Sequence, residues 1–403
     1  MDTLIDAEKF LGDLDHLRTI GTFRTGVHRP TYSAADMQSR HWLCERLMAL
    51  GYRTEIDGIG NVFGWCPGPG RKLLVGSHIE SQNEAGWLDG ALGVVAGVAL
   101  ARAGLAVDVA AWADEEGHFL GFPGSRSFVG LLDEAEIDAA RGRYTGVPLR
   151  QALADAGLAD RPRVGVPAGR HVGFLEMHIE QGGTLDRAGE QIGVVTGIVA
   201  IWQYRLVFTG QQNHAGTTTM AERRDAGAAA VRLLSAIERE YPKVAGPRSV
   251  WTAGRISLDP GAPSIIPGRA EVLFQHRDVE MAVLERMQAT LERLVAEEAA
   301  RGPCAVQLEV ISRAIPALCD PGFMDALEAA AEQVAPGRWR RMPSGAGHDA
   351  QYLAQVMPAA MLFVPSINGI SHHWSEDTKR EDLVAGAEVL GRAARAILAK
   401  ATG

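Results

Sequence analysis

Residues 72–116, KLLVGSHIESQNEAGWLDGALGVVAGVALARAGLAVDVAAWADEE, alternate between strand and helix patterns. The apolar runs KLLVGSH (72–78) and VDVAAWADEE (107–116) are typical of buried strands, and GALGVVAGVALARAG (90–104) is typical of a helix packed by small residues. A further buried strand is predicted at VGFLEMHIEQG (172–182). This order predicts a layered α/β domain with a mixed, mostly parallel sheet flanked by helices.

The pattern changes between residues 204 and 313. Strands and helices follow in the order β-α-β-β-α-β, at 204–210, 221–241, 249–258, 269–277, 279–300 and 306–312. This order predicts an inserted α+β domain with a four-stranded antiparallel sheet and two helices. The chain then returns to the first domain through helix 321–334, strand 359–364 and helix 380–399. We therefore expect one domain of residues 1–203 and 314–403, and an inserted domain of residues 204–313.

Composition and charge exclude several classes of protein. The 403 residues are 46% hydrophobic and 22% charged, which is ordinary for a globular enzyme with two domain cores. With 49 acidic and 40 basic residues, the net charge of -9 provides no basic field, so neither nucleic acid nor an anionic membrane is an expected partner. The four cysteines are too few for a disulfide framework. The N-terminal residues lack the pattern of a signal peptide, and we expect a cytoplasmic protein.

Ionisable side chains recur at the ends of the predicted elements. Open α/β sheets bind ligands beyond the C-terminal ends of their strands, so these side chains are expected to gather there. Histidines with carboxylates suit a pair of Zn²⁺ or Mn²⁺ ions, and such a pair activates water for amide hydrolysis at neutral pH. The candidates are His78, Asp89, Asp114, Glu115, Glu116, His178, His214, His348, Asp349, His372 and His373.

Seven motifs, in order, resemble those of the hydantoinase/carbamoylase amidases, which are related to the aminoacylases and dinuclear zinc exopeptidases. They are GSHIESQNEAGWLDGALGVVAG (76–97), ADEEGHF (113–119), GSRSFVG (124–130), LEMHIEQG (175–182), FTGQQNHAGTTTMAERRDA (208–226), PSGAGHDAQYLA (343–354) and FVPSINGISHHWSEDT (363–378). The resemblance implies a catalytic domain, made of the first and last segments of the chain, and an inserted lid and dimerisation domain. It also implies a metal-dependent amidohydrolase, with the carbamoyl group of an N-carbamoyl-L-amino acid as the leading substrate.

The same resemblance implies a ligand set for two divalent ions. His78 and His178 would bind one ion, Glu116 and His372 would bind the other, and Asp89 would bridge them. Zinc or manganese is the expected metal, and cobalt and nickel suit the same ligands.

Two residues are implied as catalytic. Glu115 would be the general base, since its neighbour in sequence is occupied as a ligand and Glu115 is left to accept a proton from water. His214, in the inserted domain, would stabilise the developing oxyanion, and in this family such a histidine often acts across a homodimer.

Substrate binding and support of the metal site are implied for five further residues. Arg277 would clamp the substrate carboxylate, although a surface ion pair is an alternative, and Gln181 would assist. Asp349 would support the metal site. Two positions depart from the family pattern: Glu80 replaces an aspartate that orients the first metal histidine, and Ser264 replaces an asparagine that helps to bind the substrate carboxylate.

Several alternatives remain open. Because of Glu80, Ser264 and the two bulky residues Trp87 and Trp374, the substrate could instead be allantoate, another ureido acid, an N-acyl amino acid or another amide. An exopeptidase is a third possible enzyme activity. A metal-free, non-catalytic homologue is the alternative from another class, and the complete ligand set with Glu115 argues against it.

Overall fold

The structure is a computed structural model that describes residues 3–402. The chain divides into unit 1, Met1–Gly197 with Leu318–Gly403, and unit 2, Ile198–Ala317. The sequence prediction sets the inserted domain at 204–313. In the structure, unit 2 begins before residue 204 and ends after residue 313, and its first long strand begins at Ala200, before the strand predicted at 204–210.

The elements follow one another as helices and short strands. The helices are α1 (Ala7–Thr19), α2 (Ala34–Met48), α3 (Ala91–Arg102), α4 (Pro123–Phe128), α5 (Glu134–Ala139), α6 (Leu149–Asp155), α7 (Thr184–Ala188), α8 (Ala226–Glu240), α9 (Met281–Arg301), α10 (Pro321–Val334), α11 (Ala350–Leu353) and α12 (Arg380–Thr402). The strands are β1 (Thr22–Phe23), β2 (Gly26–Val27), β3 (Arg53–Ile56), β4 (Val62–Trp65), β5 (Lys72–His78), β6 (Val107–Trp112), β7 (His171–Ile179), β8 (Ile192–Ile198), β9 (Ala200–Thr209), β10 (Asn213–His214), β11 (Val250–Asp259), β12 (Ile265–Ile266), β13 (Arg269–Asp278), β14 (Ala305–Arg313), β15 (Ala317–Leu318), β16 (Trp339–Ser344) and β17 (Ala359–Val364).

The main sheet is mixed, with parallel strands at its centre. Its order is β15-β8-β17-β7-β5-β6-β4-β3, and β16 also pairs with β8. Strands β17, β7, β5 and β6 pair in parallel, whereas β8, β4 and β3 pair antiparallel. Every residue of β5, β6, β7 and β17 is buried, which explains their continuous apolar sequences. The predicted α/β fold, with helices such as α3 and α12 against the sheet, is confirmed.

One strand is shorter than predicted, and the difference shapes the site. Strand β6 ends at Trp112, so residues 113–116 are not strand. Asp114 has a φ of 58° and its carboxylate accepts hydrogen bonds from the backbone N–H groups of residues 118–120. This local capping competes with the sheet and turns Glu115 and Glu116 out of the strand direction.

Unit 2 has the predicted β-α-β-β-α-β order. Its four-stranded antiparallel sheet runs β11-β13-β9-β14 and is accompanied by α8 and α9. Alternate residues of β9, such as Tyr204, Leu206 and Phe208, are buried in one core that also includes Leu284 and Met287 of α9. A short ladder of β10 with β12 was not predicted from the sequence.

Within residues 3–402, none of the helices combines the length and the apolar character that crossing a bilayer requires.

Candidate metal centre

The centre lies at the C-terminal ends of the parallel strands of unit 1. His78 is the last residue of β5, and the β5–β6 register places it opposite Trp112, the last residue of β6. His178 is the penultimate residue of β7, and the register with β17 places it opposite Phe363. Because parallel strands end at the same edge, side chains from distant sequence positions meet there.

The first group of possible ligands consists of His78, Asp89 and His178. The Asp89 Oδ1 atom is 3.5 Å from His78 Nε2 and 3.1 Å from His178 Nε2. Each imidazole donates from Nδ1 to a backbone carbonyl, at 3.2 Å to Glu80 and at 2.9 Å to Ile179. These hydrogen bonds place the proton on Nδ1 and the lone pair on Nε2, the atom that would bind a metal ion; in His178 it also accepts from Gly90 N at 3.2 Å.

The second group consists of Asp89, Glu116 and His372. His372 Nε2 lies 3.3 Å from Asp89 Oδ2 and 3.6 Å from Glu116 Oε2. In both groups, ligand atoms of the three residues lie within 4.8 Å of one another. Asp89 therefore presents one carboxylate oxygen to each group, which is the arrangement that a bridging ligand requires.

Unpaired buried atoms and electrostatics show that the residues fit divalent metal ions. His78 Nε2 and Glu116 Oε1 are buried and have no hydrogen-bond partner among the described residues, as expected of atoms reserved for a metal. Burial would lower the pKa of His78, but the carboxylates of Glu115, Asp89 and Glu80 raise it well above its usual value. The hydrogen bond with Asp89 raises the pKa of His372 to about 9. The centre therefore strongly favours positive charge.

Gly90 explains how Asp89 comes so close to His78. Gly90 has a φ of 64° and is the residue before α3. A Cβ at this position would overlap the imidazole ring of His78. Only glycine allows the chain to turn into α3 at this distance from β5, and the turn presents Asp89 to both histidines of the first group.

Glu115 does not belong to the two groups that share Asp89, but it forms a third possible ligand group with His78 and Glu116. Its side chain is 10% exposed, and its Oε2 atom is 3.8 Å from His78 Nε2. Burial raises the pKa of Glu115 well above its usual value, against the lowering effect of His78. Such a carboxylate is a better proton acceptor than an exposed one.

Glu80 supports the centre in a way that its longer side chain makes possible. The nearest carboxylate oxygen of Glu80 is 3.8 Å from His78 Nδ1, so the backbone carbonyl of Glu80, not its carboxylate, accepts the hydrogen bond. The carboxylate instead accepts from Glu115 N at 2.6 Å and from the buried Arg40 guanidinium at 2.9 Å. The Glu80 side chain thus connects the turn that carries Glu115 to α2, in which Arg40 also pairs with Asp36.

Gln181 and Asp349 are both in unit 1. Gln181 donates to Asp89 Oδ2 at 3.1 Å, and its Nε2 atom lies 3.3 Å from His372 Nε2. Asp349 is fully buried, and burial together with the Glu176 carboxylate raises its pKa well above its usual value. The roles of both residues stay predictions.

Sequence reasoning missed two residues at the centre. Gln82 Nε2 donates to Glu116 Oε2 at 3.0 Å, and Glu376 accepts from the backbone N–H of Asp89 at 3.2 Å. Both lie inside the quoted motifs. In the sequence, Glu376 is recognisable only as an acidic residue four positions after His372. This spacing alone does not predict a contact with Asp89.

His214 lies in unit 2, on β10, and is exposed. Its Nδ1 atom accepts hydrogen bonds from the backbone N–H groups of Gly216 at 3.0 Å and Thr217 at 3.1 Å. An atom that accepts two hydrogen bonds carries no proton, which leaves Nε2 as the ring nitrogen that can donate. The loop therefore presents His214 as a hydrogen-bond donor.

The other two predicted substrate-binding residues are also in unit 2. The backbone carbonyl of Ser264 accepts from Ala215 N at 3.0 Å, which brings Ser264 next to the β10 ladder of His214. Arg277 is near the end of β13, where its guanidinium donates to Gln275 Oε1 at 3.2 and 3.3 Å. Burial lowers the pKa of Arg277.

Trp87 and Trp374 contact arginines. Trp87 is buried, with the Arg18 guanidinium 4.5 Å from the centre of its ring. Trp374 is half-buried, with the Arg24 guanidinium at 4.7 Å. Packing and cation–π contact therefore account for the position of Trp87.

Comparisons with known proteins agree with this geometry. N-carbamoyl-L-amino acid amidohydrolase from Geobacillus stearothermophilus is 32% identical over 404 residues, covering 96% of this chain and 97% of that protein. Allantoate amidohydrolase from Escherichia coli (strain K12) is 31% identical over 391 residues, covering 91% of each. The crystal structure of a hydantoinase/carbamoylase family amidase from Burkholderia phymatum has a TM-score of 0.90 and 44% identity, and all of both chains is covered.

These similarities confirm the resemblance inferred from the seven motifs. Residues 74–396 match Peptidase family M20/M25/M40, a range that includes all the proposed metal ligands, all of unit 2 and part of each segment of unit 1. The chain belongs to Peptidase family M20/M25/M40.

Proposed function

We propose that this protein is a metal-dependent amidohydrolase that cleaves the ureido group of an N-carbamoyl-L-amino acid into amino acid, ammonia and CO₂. The observation that carries the proposal is the convergence of two ligand groups on Asp89, with Glu115 beside them. The names of relatives at about 30% identity over nearly the whole chain support the substrate class.

Two divalent ions fit the centre. His78 and His178 would hold one, Glu116 and His372 the other, and Asp89 would contact both. Bound there, the ions would lower the pKa of a water molecule and polarise the substrate carbonyl. Zinc, manganese, cobalt and nickel all accept these nitrogen and oxygen ligands.

Glu115 moves the proton in this proposal. Its carboxylate takes a proton from the attacking water and returns it to the leaving nitrogen, while the water oxygen bonds to the carbonyl carbon. The C–N bond breaks, and the carbamic acid that is released decomposes to ammonia and CO₂. Glu80 holds this base by accepting from its backbone N–H at 2.6 Å.

Unit 2 would supply most of the remaining functions. His214 would donate from Nε2 to the developing oxyanion, and Arg277 and Ser264, assisted by Gln181 of unit 1, would bind the substrate carboxylate. We propose that the protein is a homodimer, that His214 acts on the centre of the partner subunit, and that unit 2 serves as lid and dimerisation domain.

We expect the His214→Ala variant to lose about 10²- to 10³-fold in kcat, because one oxyanion donor is removed. Its metal content should stay at two ions, since His214 belongs to neither ligand group. Steady-state kinetics beside metal analysis checks this, with the exposed His41→Ala variant as control. A His214→Ala enzyme that keeps the wild-type kcat would contradict the role, and full activity in a monomer would contradict action across subunits.

The runner-up substrates are allantoate and related ureido acids, since the allantoate amidohydrolase relative is almost equally similar. An N-acyl amino acid or another amide is a further alternative.

A substrate panel separates these alternatives. Metal-loaded protein is incubated with N-carbamoyl-L-amino acids, allantoate, N-acetyl amino acids and dipeptides, and the release of ammonia and of amino acid is recorded. We expect ammonia from N-carbamoyl-L-amino acids, with kcat/KM at least about tenfold above that for the other compounds. Preference for allantoate would move the assignment to the runner-up. Activity on dipeptides alone would indicate an exopeptidase, and no activity on any compound would favour the non-catalytic reading.

A further inference from the structure

Glu376 is a buried carboxylate that the proposed reaction does not use. It is 1% exposed and lies between the short 3₁₀ turn Ile367–Gly369 and α12. Its Oε1 atom accepts from Asp89 N at 3.2 Å and from Leu88 N at 3.4 Å. Its Oε2 atom accepts from Ser371 Oγ at 3.0 Å. One side chain thus joins the segment of Asp89 to the loop of His372.

The two segments differ in what else holds them. Asp89 leads directly into α3, and its carbonyl accepts from Ala91 N at 2.6 Å. His372 lies in a loop without helix or strand, has a φ of 55°, and its side chain is half exposed. The loop turns back on itself through Glu376 N, which donates to the His373 carbonyl at 3.0 Å. The contacts of Glu376 therefore matter more for the position of His372 than for the position of Asp89.

The chain leaves space for this carboxylate at Gly86. A Cβ at Gly86 would overlap the carboxylate carbon and both oxygens of Glu376. Gly86 has no positive φ that would require glycine for conformational reasons. Its lack of a side chain is explained by the close approach of Glu376 to the segment before Asp89.

We propose that Glu376 is a positioning residue that holds Asp89 and His372 at the separation at which the two can bind the same divalent ion. The inference rests on the proposed function, since it concerns the same metal centre. Glu376 does not contact the ligand side chains in the described hydrogen bonds; it acts through the backbone of Asp89 and through Ser371.

The two ligand groups should respond differently to loss of Glu376. His78 and His178 lie on β5 and β7, which are neighbours in the rigid centre of the sheet, and each is fixed by a hydrogen bond from Nδ1. The group of Asp89, Glu116 and His372 includes the loop residue. Removing Glu376 is therefore expected to weaken one ion selectively.

The test is a calorimetric titration of metal-stripped full-length protein with Zn²⁺, and in parallel with Mn²⁺. For Glu376→Ala we expect the first ion to bind within about threefold of wild type and the second to bind about 10- to 100-fold more weakly, as when supporting residues of metal sites are removed. Glu376→Gln is expected to restore binding, since its Oε1 still accepts the two N–H groups and its amide can donate to Ser371 Oγ.

Gly86→Ala tests the same contact from the opposite side. Its methyl group would displace the Glu376 carboxylate, so it should reproduce the selective loss. The matched control is Glu388→Ala. Glu388 is a buried glutamate of α12 that accepts from the backbone N–H groups of Leu4 and Ile5, and its loss should lower thermal stability without changing the affinity of either ion.

The outcomes are distinct. Two results in a folded Glu376→Ala protein would overturn the positioning role. In one, both ions bind with wild-type affinity; in the other, the affinities for both ions fall by the same factor. If Glu376→Ala does not fold, Ser371→Ala and Gly86→Ala decide, and unchanged affinity for the second ion in both would overturn it. Wild-type protein that binds fewer than two ions would instead contradict the proposed function, so the two failures are separable.

Discussion

Replacing Glu115 by glutamine is expected to lower kcat by about 10²- to 10⁴-fold while two metal ions stay bound, as for the loss of a general base. The amide has the shape of the carboxylate but cannot accept a proton. The ions should stay bound, because the two groups that share Asp89 are complete without Glu115, the amide oxygen of glutamine can replace a carboxylate oxygen in the third group, with His78 and Glu116, and the backbone N–H of residue 115 still donates to Glu80. KM should change little, since the lost interaction operates mainly in the transition state.

The measurement is steady-state ammonia release beside metal analysis of the same samples. Glu84→Gln is the control, because Glu84 is an exposed glutamate in the segment between His78 and Asp89. A Glu115→Gln rate within about threefold of wild type would refute the base assignment. Loss of metal together with activity would show that Glu115 is a ligand instead.

The fold was largely predictable because its central strands are buried on both faces. Strand β5 is found as predicted over residues 72–78, and β17 over 359–364, since continuous apolar runs between polar residues fix such strands. Strands β3 and β4 were not predicted. Each has only four residues, and a run this short is a weak signal for a strand even where, as in β4, every residue is buried.

The candidate ligands were predictable in two steps. Ionisable residues at the ends of buried strands were expected to gather at one edge of the sheet, and the resemblance to the amidases implied which of them bind metal. The structure brings His78, Asp89, Glu116, His178 and His372 together. The contacts behind these ligands were not predictable. Glu80 reaches Arg40 across 40 positions, and Glu376 reaches Asp89 across 287, and no local pattern encodes hydrogen bonds between such distant residues.

Removal of metal is expected to have the largest effect of all, a complete loss of ammonia release. Without ions, the imidazoles of His178, His372 and His78 lie close to Asp89 and keep the pKa of its carboxyl well below the usual range despite its burial. No group among these residues can lower the pKa of water far enough for attack on a ureido carbonyl. Glu115 alone would supply only proton transfer.

The most direct test of the proposed dinuclear amidohydrolase is a metal titration of stripped protein, with ammonia release from an N-carbamoyl-L-amino acid measured at each step. We expect no release without metal, and full activity when two equivalents of Mn²⁺ or Zn²⁺ are bound. Ammonia release by fully stripped protein, or full activity with a single bound ion, would contradict the account.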